Sequence, residues 1–157
     1  MSPSMKGIMT SVPIIVCGKS PQIALGVKKG IQPVYETIHV VQSVEAGVRD
    51  IPSLLQGHAP PVLHSANLGT QEYGKKAAAV VMGGGYNDAH FEQLRQACAG
   101  KSRILWLRHD VSKDVYPRQP LPKIGAEYGE QIGKKIVDCL QDLTMRGEMD
   151  KEGVHWF

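Results

Sequence analysis

The sequence predicts an α/β fold of three layers, a short parallel sheet of about four strands with helices on both faces, and three observations carry that prediction. Four apolar runs with a β-branched or aliphatic bias have the length of strands and are too continuous for strands with one face in water. Each is followed by a segment in which apolar residues recur at three- and four-residue steps, the period of a helix. Strands that alternate with helices in this way need crossover connections, which is what parallel pairing requires.

Residues 1–11 are rich in Ser, Met and Thr without periodicity and are expected to be a loose tail, leaving residues 12–157 as a single domain. Val12–Cys17 (VPIIVC) is the first expected strand, and Gly18-Lys19 turns the chain after it. Ser20-Pro21 then starts a helix, because Ser caps an orphan amide and Pro needs no N–H at the first helical position. Ile23, Val27 and Ile31 form its apolar stripe, with Gly26 and Gly30 on one side as close-packing positions. Pro33 ends that helix, and Tyr35–Val41 (YETIHVV) follows as the second strand. A shorter helix runs from the cap Ser43 to Leu55, with Pro52 placed to kink or shorten it. From Gln56 to Gly74 neither period is present, so the stretch is a candidate lid. Lys76–Met82 reads as the third strand, stopped by Gly83-Gly84-Gly85, and Asn87 or Asp88 caps a helix through Cys98. Ser102–Leu107 is the fourth strand, ending in Arg108-His109-Asp110; residues 111–124 hold three prolines and form a second irregular loop. A long helix from about Ala126 to Arg146 shows Tyr128, Ile132, Ile136, Leu140 and Leu143 on one face, with Gly147 suited to its C-terminal cap. The end, Val154–Phe157, is too apolar to stay in water and is expected to pack on the body or on a partner subunit. Strand order 2-1-3-4 follows by analogy with small doubly wound folds, so the expected class is Rossmann- or flavodoxin-like.

With 157 residues the chain can bury a self-sufficient core without disulfides or a structural metal. Cys17, Cys98 and Cys139 are odd in number, far apart and set in apolar runs, which suits buried thiols in a reducing, cytoplasmic setting. The longest apolar stretch near the N-terminus, Val12–Cys17, is far below the ~20 residues that span a bilayer, so no membrane association is expected. A net charge of +3 with scattered lysines makes no basic stripe, so nucleic acid is not an expected partner.

In open parallel sheets ligands bind beyond the carboxyl ends of the strands, where helix N-termini also point. That edge gathers Gly18-Lys19-Ser20, Gln42-Ser43, Gly83 to Asp88 and Arg108-His109-Asp110, all polar or glycine-rich after apolar strands. Lys19 and the helix behind Gly18 and Ser20 are placed to hold an anion. Gly83, Gly84 and Gly85 admit close approach of a ligand, with Tyr86 and Asn87 on the rim. Arg108 offers a cation, and His109 and Asp110 an imidazole and a carboxylate for proton transfer. His58 and His64 have a weak metal spacing, and no metal is expected. His39, His90 and His155 read as structural. The glycine pattern is neither a P-loop nor Gly-x-Gly-x-x-Gly, Gln42 and Ser43 stand where a ribose-binding acid would be, and no Tyr-x3-Lys dyad exists.

The segment IIVCGKSPQIALGVKKGIQPVYETIHVV resembles the first strand, turn, helix and second strand of an atypical short-chain dehydrogenase or NmrA-like NAD(P)-binding domain, and the whole pattern resembles small Rossmann-like proteins of filamentous fungi. The resemblance implies a nucleotide cleft at Gly18, Lys19, Ser20 and Ser43, with NAD(P) as its cofactor. Three functions are therefore expected to compete. The first is binding of a nucleotide or anionic small metabolite, related to NAD(P)-dependent oxidoreductases. The second is cofactor-independent isomerase, lyase or cyclase chemistry by His109 or Asp110 in a pocket closed by residues 56–74. The third is a non-catalytic interaction module using Val154–Phe157. A domain this small leaves no room for a separate substrate domain, so a homodimer that completes the cleft with its partner's loops is a natural arrangement.

Overall fold

The computed structural model describes residues 11–62, 66–100, 104–113 and 125–157. Almost all of the N-terminal tail, His64, the expected strand start Ser102-Arg103 and most of the second loop lie outside these residues. Five strands form one parallel sheet in the order β2-β1-β3-β4-β5: β1 Val12–Cys17, β2 Tyr35–Val41, β3 Ala79–Met82, β4 Leu105–Arg108 and β5 Gly153–Trp156. Four helices connect them: α1 Pro21–Gly30, α2 Val44–Leu55, α3 Asp88–Ala97 and α4 Ala126–Met145. The expected order of the first four strands holds, and the expected count falls one short. The apolar end of the chain is the fifth strand; its four residues are too few to show a period of their own.

Two boundaries move for backbone reasons. β3 begins at Ala79 rather than Lys76 because Pro13 of β1 accepts from the Ala78 amide at 2.8 Å but has no N–H to return, so the ladder starts one residue later. Pro52 does not shorten α2, whose last turn is held by buried Ile51, Leu54 and Leu55. Ser20, Ser43 and Asn87 cap their helices by accepting from Ile23, Ala46 and His90 amides.

The core has two halves, one on each side of the sheet. Ile15, Cys17, Val80, Met82 and Trp106 meet α2 and α3 through Ile51, Leu54, Phe91 and Leu94. Ile14, Val16, Val81, Leu105 and Leu107 meet α1 and α4 through Val27, Ile132, Ile136 and Leu140. In α1 and α4 glycines face one another: a Cβ at Gly26 would meet the Ala126 carbonyl, and one at Gly30 would lie 2.7 Å from the Glu130 carbonyl oxygen. Small residues at four-residue spacing let the two backbones touch.

That contact gives the topology an unusual turn. The step from β1 to β2 runs toward one edge with α1 on one face. The steps from β2 to β3 and β3 to β4 run the other way with α2 and α3 on the opposite face, which is the same hand. The step from β4 to β5 continues in that second direction, yet α4 lies on the α1 face, so the last crossover has the opposite hand to the first three. Nearly all such crossovers share one, right, hand. The glycine seam on α1 supplies the surface that α4 takes instead. Among the described residues no helix is long and apolar enough to cross a membrane.

Candidate functional site

Three chain turns meet at the carboxyl ends of β1, β3 and β4. The first, Gly18-Lys19-Ser20, is fixed by the Gly18 amide donating to the Val41 carbonyl at 2.8 Å. The second, Gly83-Gly84-Gly85, is fixed by the Gly83 amide donating to the Cys17 carbonyl at 2.9 Å. His109 follows β4 and donates its amide to the Met82 carbonyl at 3.1 Å. Between these turns and the N-terminal halves of α1 and α4 is a cavity of about 260 Å³.

Its inner wall is apolar: Val16, Ala24, Val27, Val81, Ile132 and Ile136. Around them stand Lys19, Ser20, Tyr128, His109 and Phe157, and no Asp or Glu is among the described residues that line it. The His109 and Phe157 rings stack in parallel, 2° apart in plane with centroids at 5.0 Å, and both are buried. Gly84 is needed beside them, since a Cβ there would lie 2.7 Å from Val111 Cγ1 and 3.4 Å from His109 Nδ1. Cys17 also lines the cavity, but burial pushes its thiol far above the ordinary range, so it is no thiolate nucleophile near neutral pH.

The Lys19 stem crosses the Gly85 backbone, and its ammonium sits 5.2 Å from the centroid of the Tyr86 ring. The side chain therefore forms a ridge between the cavity and a second, more open and more polar groove lined by Gln42, Ser43, Glu45, His90 and Gln93. No carboxylate among the described residues pairs with Lys19.

Gly18, Lys19, Ser20, Gly83, Gly84, Gly85 and His109 thus come together as expected from their place at the strand ends. Ser43 lies across the Lys19 ridge, where its hydroxyl also caps α2. The other expected site residues serve the fold. Tyr86 is buried and donates to the Val41 carbonyl at 3.1 Å, and Asn87 caps α3 in a reciprocal bond with His90. Arg108 is the last residue of β4, not a loop cation. It is buried on the α3 face, pairs with Asp88 at 2.7 Å and lies between the rings of Phe91 and Trp156. Consecutive strand residues face opposite sides of a sheet, which sends Arg108 away from the cavity that His109 enters. The Asp110 carboxylate accepts from the Ser112 amide and hydroxyl at 3.1 and 2.6 Å and does not line the cavity. Nor does the candidate lid: within it Asn67 to Gln71 run along β2, and no described residue of 56–74 lines the cavity.

Sequence reasoning missed Phe157, Tyr128 and Val111 as cavity wall, and missed a buried relay elsewhere. The β1–β2 register slips at Ile38, so both Ile38 and His39 meet α2. His39 is bonded through Nε2 to Asp50 at 3.0 Å and through Nδ1 to the Tyr73 hydroxyl at 2.7 Å, and Arg49 donates twice to Asp50. The available signal was a His and an Asp at positions where the helix and strand periods call for apolar residues.

No family model and no solved structure matches the chain. Among curated proteins, kojic acid related protein 6 of Aspergillus oryzae is 32% identical over 147 residues, covering 92% of this chain and 86% of the relative. A likeness that extends over nearly the whole of both chains shows that this chain belongs to the family of kojic acid related protein 6.

Proposed function

We propose that the chain binds a small amphiphilic molecule at the carboxyl edge of its sheet, the apolar part in the cavity and an anionic or electron-rich end at Lys19. The observation that supports this reading is an apolar cavity with no acid among the described residues of its wall, and with a cation on its rim that no described carboxylate neutralises. Drug-sized ligands use pockets of roughly 300–1,000 Å³, so a cavity of about 260 Å³ admits a compact ring or short branched chain. A whole dinucleotide exceeds it. A nucleotide, NAD(P) included, would have to lay its polar part over Lys19 into the groove at Gln42, Ser43 and His90, and the resemblance to NAD(P)-binding domains speaks for that longer ligand.

A thermal-shift panel decides between them. It holds NADPH, NADH and AMP, benzoate and isovalerate, their neutral amides, and kojic acid, the compound in the relative's name. A ligand that binds only the native state stabilises it by RT ln(1 + [L]/Kd). We expect the small anions or kojic acid to raise the midpoint and Lys19→Met to abolish the preference for anion over amide. A shift with nucleotides alone moves the site to the groove, and no shift with any member overturns the reading.

A second reading is favoured by His109, whose imidazole lines the cavity wall. A cofactor-independent isomerase, lyase or cyclase would use it to carry a proton between two atoms of the bound ligand. His109→Gln would then retain the thermal shift and lose turnover.

A further inference from the structure

The two edges of the sheet are treated differently. At the β2 edge the chain covers itself: the Thr70 and Gln71 amides donate to the Thr37 and Ile38 carbonyls, both at 2.9 Å, and the Asn67 side chain bonds both the amide and the carbonyl of Val40. The β5 edge has no such cover among the described residues.

Which groups face outward follows from the ladder. The Phe157 amide donates to the Arg108 carbonyl at 2.9 Å, and its carbonyl accepts from the Asp110 amide at 2.7 Å, so both of its main-chain groups face β4. In a parallel strand this direction alternates residue by residue. Gly153 and His155 therefore also face β4, and the amides and carbonyls of Val154 and Trp156 face away from the sheet. Among the described residues these main-chain groups have no partner, and Trp156 is 48% exposed. Natural edges are commonly blunted by lysine, proline or a bulge, and Gly153–Trp156 carries none of these.

We propose that β5 is an interface that pairs antiparallel with β5 of a second copy of this chain. The strand is self-complementary. A two-fold axis at His155 sets Val154 of each copy opposite Trp156 of the other, and in that register all four outward main-chain groups of each strand are bonded. Shifting the register by two residues leaves some of them unbonded. The side chains fit the same register, because Val154 and Trp156 share a face and a β-branched residue then packs against an aromatic ring across the pair. Trp156 is already oriented for it by Arg108, 4.5 Å from its ring, which Asp88 holds in turn. The join makes one ten-stranded sheet of two five-stranded ones. It also braces the cavity, since Phe157, stacked on His109, follows β5 directly. The proposal does not depend on which ligand the cavity takes.

The test uses sedimentation equilibrium between roughly 10 μM and 1 mM, the range in which a small interface associates, on the full chain and on Val154→Pro. The Val154 amide faces away from β4, so proline deletes outer donors and leaves the β4 ladder intact. We expect a reversible dimer and, for Val154→Pro with a native circular dichroism spectrum, a dissociation constant raised about tenfold or more. Amide exchange on the unaltered chain reads the same event without a substitution: Val154 and Trp156 gain protection with concentration, while Phe157 is protected throughout. A monomer at every concentration, a dimer that Val154→Pro leaves unchanged, or exchange at Val154 and Trp156 that ignores concentration would each overturn the proposal.

Discussion

Burial alone would push the Asp50 carboxyl up; hydrogen bonds from Arg49 and His39 reverse this and hold it below the ordinary carboxylate range. A folded-state pKa that is depressed contributes stability above the unfolded value of about 3.9 and loses it as pH falls through the folded one. Acid should therefore weaken the native state below about pH 4 through this group. Asp50→Asn should cost about 3 kcal/mol at pH 7, because His39 and Arg49 lose a charged acceptor at a site 2% exposed, and should flatten that acid limb. Urea unfolding at pH 7 and pH 3 checks both. Tyr73→Phe removes a single hydrogen bond and should cost about 1 kcal/mol. Of this relay the sequence shows only that His39 lies in a strand. Its partners come from a helix 11 residues on and a loop 34 residues on, and no local pattern joins them.

At the scale of elements, caps and periods did most of the work. Ser20, Ser43 and Asn87 cap where their side-chain chemistry predicts, and the apolar stripe of α4 is buried as its spacing requires. Gly26 and Gly30 were legible as close-packing positions, but their counterparts Gly129 and Gly133 were not, because which helix meets α1 is a property of the assembled layers. Gly129→Ala gains about 1 kcal/mol of helix propensity and places a methyl against the Ile23 carbonyl. Because that neighbour is backbone and cannot turn aside, a net loss of about 2 kcal/mol is expected. Gly74→Ala, with nothing within 4 Å, should change stability by less than about 0.5 kcal/mol. Equal losses in the two variants would show that the helix seam is not a close contact.

For the whole molecule, the cavity depends on the last residue of the chain. Phe157 is 5% exposed, belongs to the same core cluster as Leu105, Leu107 and Ile132, and stacks on His109. Phe157→Ala should cost about 3 kcal/mol and remove the ligand-induced thermal shift, since it opens one wall of the site. A variant that is destabilised yet still stabilised by ligand would place binding in the Lys19 groove instead.

Local chemistry determined the alternation of strands and helices, and with it the convergence of Gly18 to Ser20, Gly83 to Gly85 and His109, because strand ends in a parallel sheet must lie together; the order of the first four strands came from analogy with doubly wound folds. Tertiary structure alone decided that Arg108 serves the fold while His109 enters the cavity, that four apolar residues at the end become a strand, and that α4 crosses with the opposite hand. Those outcomes depend on which surfaces meet: a side chain's face follows from the strand that its neighbours complete, and a helix settles where backbones can touch.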